Sequence, residues 1–204
     1  MNIMTETIKL VQKKLGVAVD GIAGKKTWAA IAKALGVTTS SVTVNTTNNI
    51  PTQAQVRKGT SIFGKAGDES NLVNIKPPYQ LYYCGKPVKT IRVHKLIADR
   101  VQKALSEILA YYGIEKIKKL GLDQYSGSYN YRKTSTGSAM SMHAWGIALD
   151  FAAEKNTYSM KKPKASLSKP ECEMWWKIWE KHGAVSLGRE CNYDWMHLQF
   201  AKLK

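Results

Sequence analysis

A polar segment near residue 40 constrains the fold of this chain more than any other feature. The sequence TTSSVTVNTTNNIPTQAQVRK, residues 38–58, is rich in Thr, Ser and Asn and has no sustained helical period. Such a composition is typical of a linker, although SVTVN leaves a short strand open. In a chain of 204 residues, a linker here separates a small unit from one mid-sized domain. We therefore predict a small domain over residues 1–37, a linker over residues 38–58 and a larger domain over residues 59–204.

Two short helices are predicted in residues 5–36. Apolar residues recur at helical spacing on either side of the turn sequence VDGIAG. They are Ile8, Val11 and Leu15 before the turn, and Trp28, Ile31 and Leu35 after it. Two helices of this size bury little apolar surface, which indicates a module completed by a third segment or a domain that exists to bind something.

The larger domain mixes predicted helices and strands. Residues 95–112 have one apolar helical face, and Gly113 then stops the run. The face comprises Ile97, Val101, Ala104, Ile108 and Tyr112. ECEMWWKIWEKHG, which follows Pro170, has the pattern of an amphipathic helix, whereas GIALDF and HLQF are short, apolar and strand-like. We therefore predict an α+β fold in which helices pack on a small antiparallel sheet.

The chain carries a positive charge that is not confined to one part. The formal net charge is +16, and residues 1–37 alone hold six lysines against Glu6 and Asp20. Such an excess attracts polyanions, whether nucleic acid, an anionic membrane or an acidic cell-wall polymer. We find no zinc finger, recognition-helix signature or RNA-binding aromatic motif, and so expect no nucleic-acid partner.

The cysteines and the first residues favour a cytoplasmic origin. Cys84, Cys172 and Cys191 form an odd, scattered set without CxxC spacing, which indicates neither disulfides nor a cysteine zinc site. The N-terminal sequence mixes charges into its apolar positions, unlike a signal peptide. No apolar run approaches the roughly 20 residues that cross a bilayer. We expect a soluble protein that is made in the cytoplasm without an export signal.

Two short motifs contain the residues suited to metal chemistry. SMHAWGIALDF, residues 141–151, contains His143 and Asp150, and DWMHLQF contains Asp194 and His197. Zinc in hydrolases commonly has three His or carboxylate ligands and one position open to water, and His143, Asp150 and His197 supply such a set. His143 and Asp150 are seven positions apart, an odd number that would put them on opposite faces of one ideal strand. His143 must therefore precede the strand that carries Asp150. The alternative is that each histidine makes an ordinary hydrogen bond.

The order Ser-x-His-x-x-Gly-x-Ala-x-Asp, followed by Asp-Trp-Met-His, resembles the M15 family of zinc peptidases that act on peptidoglycan. The match includes GSYNYRKTSTGSAMSMHAWG and covers about residues 75–202. This family includes D-alanyl-D-alanine carboxypeptidases and phage endolysins that cleave the L-alanyl-D-glutamate bond. The resemblance implies that His143, Asp150 and His197 bind Zn²⁺ and that Asp194 is the catalytic base.

The resemblance also implies substrate contacts at Arg132 and Ser141. Arg132 matches a family arginine that holds a substrate carboxylate, a task that suits a planar bidentate donor. The alternative for Arg132 is an ordinary solvated charge. Three roles are open for Ser141: a hydrogen bond to the substrate, a hydrogen bond to the groups around the metal, or a cap on the local turn. We expect structural roles for His94 and His182, which lie at predicted helix ends.

We predict that some aromatic residues near the motifs lie in the core and that others line the cleft. The tryptophans of ECEMWWKIWEKHG recur at helical spacing, so we expect them in the core. Trp195, beside the expected base, is predicted to form a wall of the cleft. Tyr125, Tyr129 and Tyr131 precede the first motif and are candidates to line the same cleft.

The stretch IKLVQKKLGVAVDGIAGKKTWAAIAKAL, residues 8–35, resembles the small helical peptidoglycan-binding domain. The matching positions are Val11-Gln12, Leu15-Gly16, Asp20-Gly21, Gly24 and Thr27. The chain departs from the family pattern where the terminal helix usually ends in a phenylalanine-glutamine pair. A helical cap without a ligand is the alternative, and we expect Asp20 and Gly21 to shape the turn.

Together the resemblances imply a phage-type endolysin that hydrolyses the murein stem peptide, with L-alanyl-D-glutamate as the expected bond. A D-alanyl-D-alanine carboxypeptidase and an inactive wall-binding protein are the alternatives. The expected partners are peptidoglycan and an anionic cell-wall or outer-membrane surface. We expect a monomer that reaches the wall after the membrane has been permeabilised.

Overall fold

The computed structural model describes residues 3–21, 25–35, 50–135 and 137–204. The chain divides into two compact units, one within residues 1–46 and the other within residues 47–204. Residues 38–49 of the expected linker lie outside the described residues. None of the helices in the described ranges combines the length and apolar character that crossing a membrane requires.

The small unit contains the two expected helices, α1 (Ile3–Lys14) and α2 (Lys25–Ala34). A buried glutamine, Gln12, ties the turn between them: its Nε2 donates to Asp20 Oδ1 at 2.7 Å and to Thr27 Oγ1 at 3.0 Å. Its Oε1 accepts the backbone N–H of Gly21, which has a φ of 73°. Asp20 and Gly21 therefore shape the turn, as the sequence predicts.

The larger unit begins with a short helix, α3 (Gln53–Arg57), inside the segment predicted to be a linker. Thr52 and Gln55 form a capping box at its start, and Val56 is fully buried in the core. Backbone hydrogen bonds join Gln53 N to Lys202 O and Lys202 N to Pro51 O. The linker prediction is therefore wrong for residues 50–58, because one buried side chain and pairing with the C-terminal segment fix this stretch.

The long helix α4 (Lys95–Leu120) supplies much of the core. The five apolar residues predicted on its inner face are all buried. Gly113 has non-helical angles, with a φ of 67° and a ψ of 159°, so the helix breaks where the sequence predicts an end. Helical turns resume after Gly113 and continue until Gly121 caps them in the left-handed conformation.

The strands of the described residues form three small antiparallel sheets, which confirms the α+β prediction. β1 (Leu72–Ile75) pairs with β4 (Ile91–His94), and β2 (Leu81–Tyr83) pairs with β3 (Lys86–Val88). The third sheet has the order β5-β6-β8-β7. Its strands are β5 (Tyr125–Gly127), β6 (Ala148–Phe151), β7 (Val185–Ser186) and β8 (His197–Gln199).

The helix α5 (Glu173–Lys181) packs its tryptophans behind β6, and α6 (Leu187–Cys191) follows β7. The rings of Phe151 and Trp175 meet edge to face with centroids 5.0 Å apart, and Trp179 lies 6.0 Å from Phe151. These tryptophans are core residues, as predicted. Because side chains alternate along a strand, Phe151 faces this core while Asp150 faces the other way.

Candidate metal centre

The four-stranded sheet brings the two motifs together. Asp150 on β6 is the direct partner of His197 on β8 in the antiparallel register. His143 lies on a 3-10 helix, Met142–Trp145, that immediately precedes β6. Gly146 ends that helix with a φ of 67° and turns the chain into the strand. His143 thus approaches Asp150 from before the strand, as the seven-residue spacing predicts.

His143, Asp150 and His197 form a compact cluster with little solvent exposure. His143 Nε2 is 3.2 Å from Asp150 Oδ2, and His197 Nδ1 is 3.1 Å from Asp150 Oδ1. The two ring nitrogens are 3.2 Å from each other. His143 is 3% exposed and His197 is 7% exposed, so water competes weakly for these atoms. The three side chains can hold a metal ion.

The distances fit a small tetrahedral cation. Bonds of about 2.0–2.1 Å in a tetrahedral site place the ligand atoms about 3.3–3.4 Å apart. The separations in the cluster are 3.1–3.2 Å, although two different Asp150 oxygens contribute to them. One ligand atom from each of the three side chains lies within 4.8 Å of the others, so the side chains are close enough together to surround such an ion.

Hydrogen bonds on the far side of each histidine direct the correct nitrogen inwards. His143 Nδ1 lies 2.5 Å from the carbonyl oxygen of Ser128, and His197 Nε2 lies 3.2 Å from Gln199 Oε1. Both partners are acceptors, so each ring donates outwards and leaves its other nitrogen free to bind a cation. Gln199 Nε2 donates to Ala201 O, which fixes the orientation of the amide.

Charge and burial act in opposite directions on the cluster. Burial alone raises the pKa of the Asp150 carboxyl, but the charges and hydrogen bonds of His143 and His197 outweigh it and hold the pKa well below its usual range. Burial lowers the pKa of His197, whereas its hydrogen bond to Asp150 and the charge of Asp150 raise it above the ordinary value overall. Asp150 is therefore an ionised carboxylate, the form that binds a cation.

Asp194 and the cluster line the same cavity, which has a volume of about 260 Å³. Its backbone has a φ of 52°, held by a hydrogen bond from its N–H to Tyr158 O and by one from His197 N–H to its own carbonyl. Burial raises the pKa of the Asp194 carboxyl, and the positive charge of His197 offsets this only in part. A half-buried carboxylate with a raised pKa has the character of a general base.

The two predicted substrate contacts also lie at this cavity. Arg132 is exposed on its rim, with Nη1 donating to Lys133 O at 3.1 Å. Ser141 is buried and caps the 3-10 helix through a long hydrogen bond, 3.4 Å, from the N–H of His143. Of the interpretations left open for Ser141, the turn cap is the one with a visible bond.

A second cavity, of about 490 Å³, adjoins the cluster. It shares Arg132, His143 and Asp150 with the first and is further lined by Tyr125 and Tyr129. The cluster therefore has space on more than one side. Tyr131 does not line either of these two cavities.

Trp195, His94 and His182 lie outside the candidate metal cluster. The cleft-wall prediction for Trp195 is wrong, because Trp195 lines neither cavity at the cluster. It is 6% exposed, packs against Trp176 and donates from Nε1 to Asn192 Oδ1. His94 caps α4 through its Nδ1, and His182 Nε2 lies 3.0 Å from Glu107 Oε2, so both histidines are structural, as expected.

Sequence reasoning missed the residues that support the ligands. Gln199 was detectable, because it follows His197 by two positions and so shares a strand face with it. The contact from Ser128 is made by its backbone carbonyl oxygen, so no side-chain pattern in the sequence predicts it. Gln53, whose Nε2 donates to Gln199 Oε1 at 3.1 Å, lies in the stretch interpreted as linker.

Comparisons of the chain with family models, with curated proteins and with solved structures gave no match. The residues around the cluster therefore carry the functional argument.

Proposed function

We propose that this chain is a zinc-dependent peptidase of peptidoglycan, with the L-alanyl-D-glutamate bond of the stem peptide as its substrate. The observation that carries the proposal is the buried His143, Asp150 and His197 cluster with Asp194 at the same cavity. Two imidazoles and one carboxylate form a ligand set that zinc hydrolases use, and it leaves a fourth position open.

When bound, Zn²⁺ polarises the scissile carbonyl and makes water a stronger nucleophile near neutral pH. His143, Asp150 and His197 would hold the ion, with Ser128 O and Gln199 fixing the two imidazole rings. Asp194 accepts the proton from the attacking water and then delivers it to the leaving amine as the C–N bond breaks. Arg132 at the rim binds a carboxylate of the substrate.

Cleavage within the stem peptide suits the space around the cluster. An endopeptidase must hold peptide on both sides of the bond that it cuts, and two cavities share His143 and Asp150. The small unit then serves to tether the enzyme to the wall. Tethering raises the effective concentration of substrate, and the net charge of +16 favours an anionic surface.

The test is mass spectrometry of purified peptidoglycan after digestion by the zinc-loaded protein, with and without a chelator. New amino-terminal D-glutamate that disappears on chelation supports the proposal. Release of terminal D-alanine alone makes the chain a carboxypeptidase, and no new termini leave only a wall-binding protein.

Asp194→Asn isolates the base in the same assay. We expect a loss of turnover of about 100-fold or more with zinc content unchanged, because Asp194 is not among the three ligands. The exposed Asp99, on α4, gives the matched control Asp99→Asn, which keeps full turnover. Unimpaired turnover in Asp194→Asn removes Asp194 as the base.

A further inference from the structure

The short helix α3 contributes two side chains to the cavity at the metal cluster. Gln53 and Arg57 are four residues apart, and both line that cavity. Residues at this spacing lie on one helical face, so α3 presents a polar face to the site. The fully buried Val56 and the backbone bonds to Lys202 hold the helix in place. The segment is therefore a fixed wall of the site.

Within the part of the chain that the structure describes, a single backbone contact orients Arg57. Its Nε donates to the carbonyl oxygen of Met140 at 3.0 Å, which leaves both terminal nitrogens available. Within the described residues, no carboxylate forms an ion pair with Arg57 or with Arg132. A guanidinium fixed at one edge, with its other edge free, is suited to bind a carboxylate in a forked geometry.

The charges at the cavity favour a substrate with more than one negative group. Arg57 and Arg132 balance Asp150 and Asp194, which are the charged side chains of the lining apart from the histidines. A divalent cation on the cluster then gives the cavity an excess of positive charge. Asp194 and Asp150 are assigned to the proton and the metal, so both guanidinium groups remain for the substrate.

We propose that Arg57 is a second substrate-binding residue and that it selects peptides with two carboxylates near the scissile bond, Arg132 binding the other. This inference rests on the proposed peptidase function. The stem peptide offers such a pair where the diamino acid is diaminopimelate, because the γ-linked D-glutamate keeps its α-carboxylate and diaminopimelate keeps a second carboxylate outside the peptide chain.

The test uses three synthetic peptides of the form L-alanyl-γ-D-glutamyl-diaminopimelate, with the chain-terminal carboxyl blocked as an amide so that two carboxylates remain. One has both carboxylates free, and each of the others has one of them converted to an amide. The zinc-loaded full chain and its Arg57→Gln, Arg132→Gln and Lys58→Gln variants are compared by kcat/KM on each peptide. Lys58 is the exposed neighbour of Arg57 and does not line the cavity, so it controls for loss of one positive charge.

We expect amidation of one carboxylate to lower kcat/KM of the unmodified protein about 10-fold to 100-fold, the range for a hydrogen bond to a charged group. Arg57→Gln lowers kcat/KM on the peptide with both carboxylates free by a similar factor. Amidation of the carboxylate that Arg57 binds then has no further effect on this variant. Arg132→Gln loses discrimination at the other carboxylate, and Lys58→Gln keeps both preferences.

Two results overturn the role of Arg57. In one, Arg57→Gln keeps the preferences of the unmodified protein; in the other, it loses the same factor on all three peptides, as general damage to the site would produce. If the unmodified zinc-loaded protein cleaves none of the peptides, the proposed cleavage of the L-alanyl-D-glutamate bond fails and the role of Arg57 fails with it.

Discussion

Asp150 and His197 are direct partners across β6 and β8, and His197 Nδ1 lies 3.1 Å from Asp150 Oδ1. Because antiparallel pairing fixes this relationship through the backbone, the fold itself places two of the three candidate ligands side by side. Only His143 depends on a turn, the one at Gly146. The site is thus largely preorganised by the sheet.

Removal of a ligand should release the metal. We expect His143→Ala to lower zinc affinity by more than about 100-fold, since replacing an outer-shell partner alone typically costs about 10-fold to 100-fold. His182→Ala is the control, because His182 contacts Glu107 instead of the cluster. Metal content after dialysis, measured by atomic emission, distinguishes the variants. Equal zinc in both would exclude His143 as a ligand.

The outer hydrogen bond of His197 should also tune affinity. Replacing Gln199 by Met removes the acceptor that faces His197 Nε2, and we expect zinc to bind about 10-fold to 100-fold more weakly. Gln53→Met removes only a bond to Gln199 and should have a smaller effect. Titration against a competing chelator measures both. An unchanged affinity in Gln199→Met would mean that the ring needs no fixed tautomer.

The clustering of the three candidate ligands was predictable from sequence, but most of their surroundings were not. His143, Asp150 and His197 lie in two contiguous motifs whose spacing already limits how they meet. Helix α3 spans only five residues, Gln53–Arg57, which is too short to show a helical period. Strand β7, which pairs with β8, has two residues and is too short to show the alternation of apolar and polar residues that indicates a strand. Such short elements form because tertiary contacts stabilise them, so local sequence has little to reveal.

The turn before β6 should tolerate no side chain at Gly146. A Cβ there would lie 2.6 Å from Leu72 Cδ2 and 3.1 Å from His94 N. Leu72 can rotate, but the His94 nitrogen donates to Gly146 O at 2.9 Å and cannot move freely. We expect Gly146→Ala to reduce both the free energy of unfolding and zinc affinity.

Gly121 provides a matched control for Gly146. Its φ and ψ of 71° and 25° nearly equal the 67° and 24° of Gly146, but its Cβ would meet nothing closer than 3.8 Å. Both alanine variants incur about 1–2 kcal/mol of left-handed strain. Gly146→Ala should lose about 1–3 kcal/mol more, from overpacking. Urea unfolding of the two variants measures the difference, and equal losses would show that the neighbours simply yield.

The contacts of Glu107 should make stability depend on acid pH. Its carboxylate accepts hydrogen bonds from Lys181 at 2.7 and 2.9 Å and lies 3.0 Å from His182 Nε2, and these contacts hold its pKa below the ordinary value. A pKa that is lower in the folded state gives stability that is present above the unfolded value of about 4.3 and is lost as pH falls through the folded value. The side chain is 35% exposed, so solvent screening limits the contribution to at most about 1 kcal/mol.

Glu107→Gln tests this pH dependence. The variant should unfold at lower urea concentration than the unmodified protein at pH 7, and the gap should close as the pH is lowered below about 4. Glu115→Gln is the control, because Glu115 is 86% exposed and only 3.5 Å from Lys118, a pair that contributes little. A gap that persists unchanged at low pH would assign the effect of Glu107 to packing rather than to its charge, because the carboxylate is protonated there and can no longer hold Lys181.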